Sequence, residues 1–179
     1  MMGSGWTPYD LERFLVDAVT GWVNDPPILC RNPYDPSGLY IAPVVYQGRI
    51  PSVQAGPQSE ITFKAPSVAI CCTDFRYKRE SGVATVSMPI LTWDDDLSRN
   101  GYGDVHNIIN RIVYGLYQAG IIGQSFILLD ETVDGQLIFD PAVDYFGYFL
   151  GNVTAKFGLA TPITDPGQPV IGQEGFLIS

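Results

Sequence analysis

Residues 83–118 read VATVSMPILTWDDDLSRNGYGDVHNIINRIVYGLYQ, and two periodicities meet inside this stretch. In its first part Val83, Thr85, Ser87 and Pro89 alternate with Ala84, Val86, Met88 and Ile90. That period of two places successive side chains on opposite faces of a strand. Beyond the acidic loop, Val105, Ile108, Ile109, Ile112, Val113, Leu116 and Tyr117 recur three and four residues apart, the apolar stripe of an amphipathic helix. Asp104 stands near the positive end of that helix, and Gly120 lies where a C-terminal cap is expected. A strand therefore feeds directly into a one-sided helix.

Working outward, PSVAICCTDFRY from Pro66 to Tyr77 reads as a partner strand for Gly82 to Trp93, with the polar KRESG between them as a hairpin connection. Pro89 favours an edge position or a bulge. Near the N-terminus, TPYDLERFLVDAVTGWV predicts a helix over residues 8–23. Thr7 can cap it, Pro8 suits the first helical position, and Leu11, Phe14, Leu15, Ala18, Val19, Trp22 and Val23 form its stripe. Asn24, Asp25 and the Pro26-Pro27 pair end it. Between this helix and the hairpin, LYIAPVVYQ is expected as a strand with an edge proline at Pro43. Gly48 to Ser59 lacks periodicity and reads as an extended loop or irregular arm, residues 47–65 in all. Downstream, QSFILLDE, GQLIFDP and the alternating Tyr148 to Ala160 supply further strands, and residues 162–179 have the composition of a loose tail. The expectation is a single α+β domain: a largely antiparallel sheet with two amphipathic helices on one face, plus an extended arm, its core spanning residues 66–161.

Composition narrows the function. Hydrophobic residues make up 46% and charged residues 16%, which argues against a disordered chain. The net charge of -9 would repel phosphates, so a nucleic-acid binder is not expected. No segment approaches the length of a membrane span, no basic-then-apolar leader opens the chain, and MGSGWT matches the myristoylation pattern only loosely. Cys30, Cys71 and Cys72 show no metal spacing and read as reduced thiols. The single histidine, His106, falls off the apolar stripe and is expected to face solvent. From Asp96, the spacing of Ser98, Asn100 and Gly101 partly matches a calcium loop, but Asn107 stands where the bidentate glutamate belongs. Asp130, Glu131, Asp134, Asp140 and Asp144 read as scattered surface acids, and GIIGQS follows a helix where a phosphate loop would open one. No catalytic, cofactor or metal residues are nominated, and an assembly component is favoured over an enzyme.

The stretch from Val83 to Gln118 resembles the central region of tail terminator (tail completion) proteins of long-tailed phages. The match rests on a β-hairpin, a short acidic loop, the turn Gly101-Tyr102-Gly103-Asp104-Val105 and an I-x-x-I-type helix. PSVAICCTDFR takes the place of the family's proline-led strand, while Cys71-Cys72, the arm and the tail depart from its pattern. The resemblance implies a virion protein of the tail neck, assembled in the host cytoplasm. Its subunits would form a ring, as a hexamer, that caps the tail tube, stops its polymerisation and docks head-completion proteins, with DNA sliding through and no cofactor. On that view Asp94, Asp95 and Asp96 line the channel or its rim, and Arg49, Ile50 and Val53 contact a neighbour. Another neck component, such as a head-closure or adaptor protein, is the alternative; a metal-dependent hydrolase is the more distant one.

Overall fold

In a computed structural model of the chain, residues 7–34, 40–54, 61–77, 82–94, 100–129, 133–138 and 147–159 are described. Helix α1 spans Pro8–Asn24 and opens on a capping box. The Asp10 N–H donates to Thr7 Oγ1 at 3.2 Å, and the Thr7 N–H donates back to Asp10 Oδ2 at 3.0 Å. Leu11, Leu15, Val19 and Val23, one per turn, are buried. Helix α2 spans Asn100–Ala119, so Asp104, expected near its positive end, stands one turn inside it. The first turn of α2 is pinned because the Gly101 carbonyl accepts from the buried Thr92 hydroxyl at 3.0 Å and Tyr102 packs edge-on against Phe149. Val105, Ile108, Ile109, Ile112 and Leu116 are buried as the stripe predicts, whereas Tyr117 turns outward, 49% exposed. Gly120 caps the end with φ +61°.

The main sheet orders its strands β3(Val44–Gln47), β6(Ser67–Tyr77), β7(Gly82–Trp93), β11(Tyr148–Leu159), β9(Phe126–Leu128) and β8(Ile121–Ile122). β10(Asp134–Ile138) pairs with the other half of β11. β3 runs parallel to β6 and the remaining described pairs are antiparallel, so the fold is α+β with a largely antiparallel sheet. Register sets the two faces. Val68 and Ile70, then Ala84, Val86, Met88 and Ile90, then Val153, Ala155 and Phe157 share the face covered by the helices, and all nine are fully buried. Thr85, Ser87, Thr154 and Lys156 lie on the other face.

Three expectations change. Pro89 sits in the centre of the sheet, not at an edge. Its strand pairs continuously with β11, while the pairing with β6 lapses at Ala69–Ile70, opposite the proline that has no N–H to give. The LYIAPVVYQ strand is split: β2(Tyr40–Ile41) pairs with β1(Cys30–Arg31), and β3 resumes after Pro43 as the parallel edge. Part of the arm is regular, because β4(Ser52–Gln54) pairs antiparallel with β5(Ile61–Phe63) as a separate two-stranded sheet. The tail, 162–179, lies outside the described residues.

Candidate functional site

Where α1 ends, four backbone carbonyls lose their helical partners. Arg111, reaching across from α2, meets one of them and the turn beyond. Its Nη1 donates to the carbonyl of Trp22, in the last helical turn, at 3.2 Å, and to those of Asp25 at 3.4 Å and Pro26 at 3.3 Å, past the helix end. The guanidinium complements the negative end of α1 and fixes the turn that follows it. Between that turn and α2 lies an open cleft of about 650 Å³, lined by Pro27, Ile28, Leu29, Asp104, Asn107, Asn110, Arg111 and Tyr114. Positions 104, 107, 111 and 114 follow helical spacing, so one polar face of α2 forms the wall. Leu29 and Tyr114 are 55% and 62% exposed and make the lip apolar.

Asp104 is the charged group of this wall that the fold disfavours. Burial, and then the neighbouring Asp94 carboxylate, push its pKa up to about 6. Behind it the Cys30 thiol is pushed up to about 12 by burial and by Asp104, which leaves it un-ionised and inert. An acid whose folded pKa lies above its ordinary 3.8 favours the fold when protonated. Its contribution is therefore full in acid and is lost as pH rises through about 6. Asp104→Asn is expected to raise the unfolding free energy at neutral pH by about 1 kcal/mol, discounted for partial solvent screening. The advantage should vanish by about pH 4. Urea denaturation of both proteins across that range measures it, and equal midpoints at neutral pH would mean a solvated carboxylate.

The sequence-nominated residues are scattered rather than gathered at this cleft. Asp94, expected at a channel or its rim, is turned inward: its residue is 5% exposed and Oδ1 pairs with Arg31 Nη1 at 3.0 Å. The Asp94 N–H donates to the Gly147 carbonyl at 2.9 Å, which extends β7 by one residue and keeps Asp94 on the face of the buried Ile90 and Thr92, where Arg31 meets it. In the single subunit it presents no free charge to a lumen. Asp95 and Asp96 lie outside the described residues. Arg49 is exposed just beyond β3, Ile50 is half-buried, and Val53 belongs to β4. Gly101, the proposed turn of a calcium loop, lies inside α2. His106 is exposed beside Asn110, with Nδ1 3.0 Å from its amide nitrogen. Asp134 is exposed on β10, and Asp130, Glu131, Asp140 and Asp144 lie outside the described residues.

Among the described residues no group of three His, Cys, Asp or Glu side chains is placed to hold a metal ion, and no described helix is long and apolar enough to cross a membrane. The sequence reading missed Arg111, Asp104 and Tyr114 as neighbours of one cleft. Their shared helical face was legible, but the turn that faces it was not. No protein-family profile and no curated protein matches the chain.

Proposed function

We propose that this chain is a structural virion protein whose subunits form a ring that caps a phage tail tube, ends its polymerisation and offers a docking face to the head. The carrying observation is β10. Among the described strands it pairs with β11 alone, and all five of its residues are exposed, with Leu137 at 44% and Ile138 at 42%. An edge strand with open backbone groups and apolar side chains is a template for another chain, and soluble monomers ordinarily blunt such edges. The resemblance of residues 83–118 to tail terminator proteins supplies the kind of assembly, and the net charge of -9 suits a conduit through which DNA slides without sticking.

Deleting the gene from the phage that encodes it is expected to yield overlong tail tubes, measured by electron microscopy of lysates. Finished tails of normal length beside unjoined heads would overturn the terminator reading in favour of a head-closure or adaptor role.

A further inference from the structure

We infer that the cleft between the turn after α1 and the polar face of α2 receives the Arg49 side chain of a second copy of this chain. The inference rests on the ring reading and names the subunit contact within it.

The cleft has the makings of a guanidinium socket. Asp104 supplies a carboxylate on its wall, and Asn107 and Asn110 add amide oxygens. Tyr114 and Leu29 offer an aromatic face and an aliphatic surface along which an arginine stem can lie. Asp104 is the one carboxylate of the lining, and the Arg31–Asp94 pair beside it is neutral. The one cation of the lining, Arg111, stands two turns along α2 from Asp104 with its Nη1 committed to three backbone carbonyls. The carboxylate is left in a setting that disfavours its charge, and an incoming cation relieves it.

The chain's other described arginines are engaged: Arg13 with Asp10, Arg31 with Asp94, Arg76 with Asp74, and Arg111 as above. Among the described residues Arg49 makes no ion pair, and it is exposed on a tight turn where its N–H donates to the Gln47 carbonyl at 3.1 Å. Arg49 and the cleft stand at opposite ends of α1. Gln47 is tied to the first turns, its Nε2 donating to the Tyr9 carbonyl and to Glu12, whereas the cleft follows the last turn. The thirteen or so residues between those anchor points span about 20 Å of helix. One chain therefore holds knob and socket apart. Two copies bring them together through unlike surfaces, and such a head-to-tail contact closes into a ring when its rotation permits. Arginine suits the site better than lysine, since its planar fork both meets a carboxylate and stacks on tyrosine.

Sedimentation equilibrium over a concentration series of the full chain tests this. Arg49→Glu and Asp104→Arg are each expected to weaken self-association at least tenfold, and the double exchange to restore most of it. Asp104→Asn serves as the variant that keeps the fold, with an expected weakening in the same direction. Arg76→Glu, an equal charge change on the open sheet face, should leave association unchanged. Unaltered association in the Arg49 and Asp104 variants overturns the inference while leaving a ring built by other contacts. Failure of the double exchange to restore what both single variants lost overturns the Arg49–Asp104 pairing. A wild-type chain that is monomeric at every concentration also overturns it, and tail lengths then decide the ring reading separately.

Discussion

Arg31→Ala is expected to lower the unfolding free energy by about 3 kcal/mol, measured by urea denaturation at neutral pH. The partner is the reason. The Asp94 side chain is 6% exposed and Arg31 Nη1 sits 3.0 Å from its oxygen, so truncating the arginine leaves a carboxylate out of water beside a second one, Asp104. The value falls at the low end of the range for broken buried pairs because the arginine is itself 31% exposed and solvent reaches part of the site. Adding Asp94→Asn in the Arg31→Ala background should recover much of the loss, since the orphan charge goes with it. The surface pair Arg76–Asp74 provides the contrast. With side chains 81% and 51% exposed, its removal should change stability by less than about 0.5 kcal/mol. Equal small effects at both pairs would mean that Asp94 is as well solvated as Asp74.

Gly151→Val should cost about 3 kcal/mol or prevent folding outright. Two effects oppose one another here. Valine fits a strand better than glycine by up to about 1 kcal/mol, which taken alone predicts a gain. The site overrides it. A Cβ on Gly151 would stand 2.4 Å from Val105 Cγ1, 3.1 Å from Ile109 Cδ1 and 3.2 Å from the Gln136 carbonyl oxygen. Gly135, on β10, is the second bare position under the same helix, its Cβ site 2.6 Å from Ile109 Cγ2. The two glycines let α2 settle onto the sheet, and the buried Val105 and Ile109 side chains fill the space they leave. Gly151→Ala should cost less than valine, in proportion to the atoms added. A stabilised Gly151→Val protein, measured by thermal or urea denaturation, would mean that α2 can lift from the sheet without penalty.

Much of the fold was legible before any coordinates. The Leu11, Leu15, Val19 and Val23 row, the hairpin of β6 and β7, and the inward set Val153, Ala155 and Phe157 follow from side-chain spacing within one element. The departures share a physical origin. Pro89 reads locally as an edge residue, yet a central strand tolerates it where one ladder is allowed to lapse. Tyr117 continues the stripe of α2 but follows its flank below the half-buried Val113, so it stays half exposed while the neighbouring Leu116 is fully buried. Glycines 135 and 151 carry no pattern of their own, because a close approach is a property of two surfaces.

The candidate site was far less legible. Asp94 belongs to a run of three aspartates that reads as a solvated loop, and its inward turn depends on Arg31, 63 positions earlier. Arg111 reads as one polar residue on the outer face of a helix, and its carbonyl partners begin 89 positions away at Trp22. The sequence by itself determined where the two helices and long strands run and which of their faces are apolar, because helix and strand periods are local and burial of a one-sided stripe follows from them. Only the tertiary structure decided the strand order, the buried Asp94–Arg31 pair and the cleft that holds Asp104, because each arises where segments distant in the chain meet, and nothing in the local spacing of either segment names the other.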